Sequence, residues 1–161
     1  MFLELESVFN NPGLSVPFDY PLEGFEGMLP FAAPPRIVGL VKNRAGVVTL
    51  EGRAELVLDA VCDRCAAPFE YRAAAPLEHT LVLSRNREDS DGLILLEGAR
   101  FSPDSLAWED IVFSMPPKLL CGPDCAGLCQ RCGKNLNEGP CECKPEGDPR
   151  WAALQNLTSD V

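Results

Sequence analysis

The strongest pattern along the chain is an alternation of apolar and polar residues between positions 49 and 62. Leu50, Gly52, Ala54, Leu56, Leu58, Ala60 and Cys62 share one parity; Thr49, Glu51, Arg53, Glu55 and Asp59 share the other, interrupted only by Val57 and Val61. Side chains of a strand alternate between faces, so this run predicts a strand with one buried and one wet face. A second alternation, Phe69, Tyr71, Ala73, Leu77, His79, Leu81 and Leu83, follows Cys62-Asp63-Arg64-Cys65. The Cys-x-x-Cys pair therefore falls at a turn between two strands. Upstream, Ile37–Val41 and Val47–Leu50 flank Lys42-Asn43-Arg44-Ala45-Gly46 and predict a hairpin. Leu93–Leu96 is one more short strand.

The remaining elements carry weaker signals. Residues 1–9 alternate loosely and predict a first strand, closed by the turn-forming Asn10-Asn11-Pro12-Gly13. Pro17, Pro21, Pro30, Pro34 and Pro35 mark residues 14–35 as irregular or sheet-edge structure. The polar run Arg85–Gly92 reads as a flexible loop. Ser102-Pro103-Asp104 predicts a helix start, with Ser102 at the N-cap and Pro103 in the first helical position. That helix, near 103–114, carries Leu106, Trp108, Ile111, Val112 and Phe113 and stops before Pro116-Pro117. Its apolar residues spread widely around the wheel, which predicts burial over much of its surface. Asp148-Pro149-Arg150-Trp151 starts a last short helix bearing Trp151, Leu154 and Leu157.

From Cys121 the texture changes. Cys121, Cys125, Cys129, Cys132, Cys141 and Cys143 follow one another with few large apolar residues between them. Burial cannot order such a segment, whereas a bound metal can. A two-residue gap lets both sulfurs of Cys62/Cys65 or of Cys129/Cys132 reach one zinc ion about 2.3 Å away. Gly133 suits the sharp bend after the second pair. The spacing favours one site of Cys129, Cys132, Cys141 and Cys143. A second site of Cys62, Cys65, Cys121 and Cys125 would pin the tail to the sheet. Other partitions stay open, including a single site with four spare thiols. An iron–sulfur cluster, a thiol-exchange pair at Cys62/Cys65 and a disulfide scaffold are the competing uses of these cysteines.

The acidic start, Met1-Phe2-Leu3-Glu4-Leu5-Glu6, lacks the basic region of an export signal. A cytoplasmic, reducing compartment is the expectation, and there clustered cysteines bind metal more readily than they form disulfides. The predicted fold class is α+β, mainly β: an antiparallel sheet or partly open barrel, one or two short helices, and a C-terminal cysteine-rich zinc-binding tail. Residues 1–117 form the β domain and residues 118–161 the tail.

The formal net charge is −10, and two four-thiolate zinc sites make the chain more acidic still. Nucleic-acid binding draws on clustered Lys and Arg, which are scattered here, so the charge disfavours direct RNA binding and suits a basic protein partner. Nothing in the sequence points to catalysis. The single histidine, His79, lies on the apolar parity of its strand and reads as a core or edge residue. Asp63 and Arg64 read as solvent-facing residues of a metal knuckle. No nucleophile motif or phosphate-cradling glycine loop occurs.

Taken together, Val61-Cys62-Asp63-Arg64-Cys65 with Phe69, the helix leading to Met115-Pro116, the tail from Cys121-Gly122-Pro123-Asp124-Cys125 through Cys129-Gln130-Arg131-Cys132-Gly133-Lys134-Asn135-Leu136-Asn137, then Cys141-Glu142-Cys143 and Asp148-Pro149-Arg150-Trp151 resemble the YceD family. That family is named for accumulation of the large-subunit ribosomal RNA. The resemblance covers most of residues 36–157 and implies a non-catalytic role in synthesis, processing or stability of that RNA. Its genes commonly neighbour one for a small zinc-binding protein of the large ribosomal subunit. With the acidic charge, this suggests an assembly factor acting on a basic ribosomal protein or an rRNA-processing factor. The alternative from another class is a redox-sensitive zinc-thiolate protein of chaperone type, which loses metal on oxidation.

Overall fold

The structure is a computed structural model that describes residues 1–84 and 92–143. Five strands form one open sheet in the order β2 (Ser15–Pro21), β3 (Phe31–Arg44), β4 (Val47–Val61), β5 (Pro68–Val82) and β6 (Leu93–Leu95). β1 (Leu3–Glu4) pairs separately with β7 (Arg100–Phe101). Two helices, α1 (Glu6–Asn10) and α2 (Asp104–Ser114), complete the main body. Among the described residues no helix is long and apolar enough to cross a membrane.

The predicted hairpin is present but much longer than its apolar runs suggest. β3 and β4 pair from Arg44↔Val47 back to Phe31↔Leu58, joined by Ala45-Gly46 with φ of 53° and 92°. Two successive left-handed residues give the turn whose twist matches antiparallel strands. Asn43, placed in the loop by its polarity, lies instead within β3 and is buried. Its Nδ2 donates to the Val8 carbonyl at 2.7 Å, and its Oδ1 accepts from Gly46 N–H at 2.9 Å. Those bonds offset the cost of burying an amide and fasten α1 to the hairpin.

The parity of the long strands holds. Ile37, Val41, Leu50, Ala54, Leu56, Leu58, Ala75, Leu77 and Leu81 lie on the face that forms the core. Gly39 faces Gly52 across the β3–β4 ladder. A Cβ on Gly39 would fall 2.4 Å from the Glu51 carbonyl oxygen and 2.7 Å from the Phe18 ring, so the Phe18 ring from β2 lies directly against Gly39. The opposite face carries the ion pairs Arg36–Asp19, Arg53–Glu55, Arg72–Glu70 and Lys42–Glu51. Of the proline-rich segment, Pro17 and Pro21 lie in edge strand β2, where a missing N–H costs least. Pro34 and Pro35 lie instead within β3, where its register with β4 is broken between Ala33 and Arg36.

Four expectations need correction. Residues 1–9 are not a strand: only Leu3–Glu4 is extended, and Glu6–Asn10 is helical because Leu5 and Val8, three residues apart, bury together. The sheet is not wholly antiparallel, since β6 pairs in parallel with Thr80–Val82; a three-residue apolar run carries no signal of strand direction. α2 begins one residue late, with Pro103 at the cap position and the Ser102 hydroxyl donating to Asp104 Oδ2 at 2.7 Å. Nor is α2 buried over most of its surface. Ala107 and Ile111 are buried, whereas Val112 is exposed and Phe113 is 85% exposed. A helix lying on one side of a sheet buries one stripe, and among the described residues nothing covers the other.

Two polar contacts orient α2 on the sheet. Tyr20 OH donates to Asp104 Oδ1 at 2.6 Å, and His79 Nε2 meets Asp110 Oδ2 at 2.7 Å. His79 is thus a half-buried sheet residue tied to a helix, in line with the reading of its parity. Residues 85–91 of the expected Arg85–Gly92 loop, and the helix from Asp148 with Trp151, Leu154 and Leu157, lie outside the described residues.

Candidate metal centres

β4 ends at Val61 and β5 begins at Pro68, so Cys62 and Cys65 sit on the turn between them. The backbone there folds tightly. Cys62 N–H donates to the Ala67 carbonyl at 2.9 Å, and Ala66 N–H returns to the Cys62 carbonyl at 2.8 Å, with Ala66 at φ 57°. The same construction recurs in the tail. Cys129 N–H donates to the Lys134 carbonyl at 2.8 Å, and Gly133 N–H to the Cys129 carbonyl at 2.9 Å, with Gly133 at φ 73°. Both turns aim two sulfurs toward one point.

The eight thiols gather in two groups of four: Cys62, Cys65, Cys121 and Cys125, and Cys129, Cys132, Cys141 and Cys143. Within each group the sulfurs all lie within 4.8 Å of one another. Cys62 and Cys125 sulfurs are 3.8 Å apart, Cys65 and Cys121 sulfurs 3.7 Å, and Cys129 and Cys141 sulfurs 3.4 Å. A disulfide would bring sulfurs to about 2.05 Å. A tetrahedron of sulfurs about 2.3 Å from a central zinc has edges of about 3.8 Å. The donor set therefore fits a four-coordinate metal ion in both groups, and all eight cysteines are free.

Within each group the thiols are shifted in opposite directions. Burial pushes Cys62 up, but the N–H groups of Cys121, Arg64 and Cys65 outweigh it and draw the thiol down to about 6. Cys121 is pushed up to about 12, chiefly by the Cys125, Cys65 and Cys62 thiols beside it. In the second group, the N–H groups of Cys132 and Arg131 draw Cys129 down to about 6, while Cys132 and burial push Cys143 up to about 12. Four crowded thiols can all ionise only around a cation that offsets their mutual repulsion.

The first group is the more buried one. Cys62, Cys65 and Cys125 pack with Ala67, Phe69 and Leu120, while Cys121 is exposed. Asp63 and Arg64, expected merely to face solvent, bind the tail although both are exposed. Asp63 N–H donates to the Leu119 carbonyl at 2.8 Å, and Asp63 Oδ2 accepts from Leu119 N–H at 2.6 Å. Arg64 Nη1 donates to the Cys125 carbonyl at 2.8 Å, and the Arg64 carbonyl accepts from Leu128 N–H at 3.1 Å. Gly127, at φ 77°, passes so close that a Cβ would lie 2.9 Å from Arg64 Cγ. The sequence signal for this clamp was only the position of both residues between two ligands. Asn137 was missed as well: its Nδ2 donates to Cys125 Sγ at 3.4 Å.

Comparison with known proteins places these elements together. The model of the family described as "Large ribosomal RNA subunit accumulation protein YceD" matches residues 50–158, more than half of the chain. Uncharacterized proteins of Mycobacterium bovis and of two strains of Mycobacterium tuberculosis are each 28% identical over 102 residues, 60% of this chain and 48% of theirs. The match thus spans about half the length of these curated relatives. No solved structure matches.

Proposed function

The chain belongs to the YceD family of large ribosomal RNA subunit accumulation proteins, and from that premise we propose that it is a non-catalytic assembly factor with two structural zinc ions. It acts in the synthesis, processing or stability of large-subunit ribosomal RNA, and it does so in the cytoplasm. The observation that carries this reading is the reach of the family match. It runs from β4 through both cysteine groups, so the metal-binding tail belongs to the family's own pattern.

The zinc assignment is supported by the all-thiolate donor sets and by sulfur separations close to a zinc tetrahedron's edge. Cys62, Cys65, Cys121 and Cys125 hold one ion; Cys129, Cys132, Cys141 and Cys143 hold the other. Four thiolates fill a tetrahedral ion completely and leave no position for a water or a substrate, which is the arrangement of a structural rather than a catalytic site. The net charge of −10 supports a basic partner, a ribosomal protein or an rRNA-processing factor of the large subunit, over direct contact with phosphates.

Two measurements test the proposal. Elemental analysis of protein purified without added metal is expected to give two zinc ions per chain; iron in their place overturns the zinc reading. A pull-down treated with ribonuclease is expected to retain basic large-subunit proteins. Recovery of free RNA alone, unaffected by removal of ribosomal proteins, overturns the partner reading.

A further inference from the structure

Asn137 stands in the short 3-10 turn Leu136–Glu138, between Cys132 and Cys141. It therefore belongs to the loop closed by the second cysteine group, yet its side chain serves the first. Nδ2 donates to Cys125 Sγ at 3.4 Å, and Oδ1 accepts from Ala126 N–H, the residue after that ligand, at 2.7 Å. The amide is itself held in orientation. Asn135 Oδ1 accepts from Asn137 N–H at 3.1 Å and from Asn137 Nδ2 at 2.8 Å, and Leu136 N–H donates to the Gly127 carbonyl at 2.8 Å. Among the described residues it is the side-chain amide that reaches a sulfur of the other group.

We propose that Asn137 couples the two metal centres: an ion in the second group closes the 132–141 loop and so holds the Asn137 amide against the Cys125 sulfur of the first. A donor aimed at a metal-bound thiolate disperses its charge and fixes its direction, and outer-shell partners of this kind typically change metal affinity by about 10- to 100-fold. Loading the second group thus tightens the first, and by reciprocity loading the first favours the second. The coupling rests on both groups holding metal, as proposed above. Asn137 is a positioning residue, since it acts on the ion through Cys125.

The test uses the full chain loaded with cobalt(II), whose thiolate charge-transfer band reports the electron density on the sulfurs. Four proteins are compared: the natural chain, Asn137→Ala, the pair Cys129→Ser with Cys132→Ser, and the triple variant. Retention of the first-group ion is read by competition with a chelator at free-metal levels that keep the second group loaded wherever its ligands are intact. Each partial change is expected to weaken retention about tenfold, and the triple variant to be no weaker than either, because both routes remove the same contact. Asn137→Asp keeps an acceptor for Ala126 N–H but loses the donor, so it should also lose retention and move the band to lower energy. Penalties that multiply in the triple variant, or an Asn137→Asp protein with natural band and retention, overturn the coupling. If the natural chain binds two cobalt ions in those cases, the two-site reading survives; a natural chain that binds none overturns both.

Discussion

The two cysteine groups are built on the same turn and differ in what surrounds it. At Cys62 and at Cys129 the chain makes the same pair of backbone bonds, to the residues four and five positions on, and the residue after the second cysteine is left-handed in both. The first turn, however, is the end of a fifteen-residue hairpin arm, with Cys62 2%, Cys65 4% and Cys125 6% exposed. The second projects from the tail, with Cys132 exposed. One turn geometry therefore serves two tasks. In the first group it docks a foreign segment onto the sheet; in the second it closes a loop on itself.

The sharpest way to break this comparison is to remove one ligand from each group. Structural zinc sites contribute on the order of 10 kcal/mol or more, comparable with the whole stability of a domain of this size, about 5–15 kcal/mol. Cys62→Ser is expected to cost one ion and to release the tail, because Leu119–Leu128 is tied to the sheet through that group. Proteolysis within 118–143 should then become rapid while β2–β5 persist. Cys132→Ser should also cost one ion but leave residues 119–128 protected. Equal protease sensitivity in the two variants would show that the groups do not differ in this way.

A smaller effect isolates the docking contacts from the ligands. Arg64→Ala removes the bond to the Cys125 carbonyl and the side chain that lies over Gly127. The guanidinium is exposed, so the loss is modest: metal retention in the first group should fall about tenfold, the low end for outer-shell partners, with the second group much less affected. Chelator competition checks this. A change spread equally over both ions would contradict a clamp specific to the first group.

How much of this was legible follows from what each residue's signal measures. Parity along β4 and β5 marked the buried face because burial acts on every second residue alike. The spacing favoured one division of the eight cysteines without closing off others, but the chelating pairs Cys62/Cys65 and Cys129/Cys132 were legible because chelate spacing is local. Direction and coverage were not. Leu93–Leu95 does not encode a parallel partner, and the apolar wheel of α2 does not say that only one layer would cover it and leave Phe113 in solvent. Asp63, Arg64 and Asn137 were silent because a polar residue near a ligand looks the same whether it faces water or bridges two segments. Their roles depend on which distant backbone arrives beside them.

The finest difference between the two turns lies in the left-handed residue itself. Alanine at positive φ sets its Cβ against the following backbone, at about 1 kcal/mol or more, whereas glycine adopts that conformation freely. Glycine also has more freedom to lose on folding, which returns about 0.5–1 kcal/mol of the difference. Ala66 is exposed and its methyl group adds no core packing. Ala66→Gly should therefore stabilise the first turn slightly, by roughly 0.5 kcal/mol, seen as a small rise in the denaturant midpoint of the zinc-loaded chain. A Cβ on Gly133 would meet nothing within 4 Å, so Gly133→Ala carries only the conformational penalty. It should weaken retention in the second group about twofold, the equivalent of roughly 0.5 kcal/mol. If the turns are the same device, the two substitutions must have opposite signs. A loss at both positions would mean that Ala66 is held by contacts of its own, and that the likeness of the two turns ends at their backbone bonds.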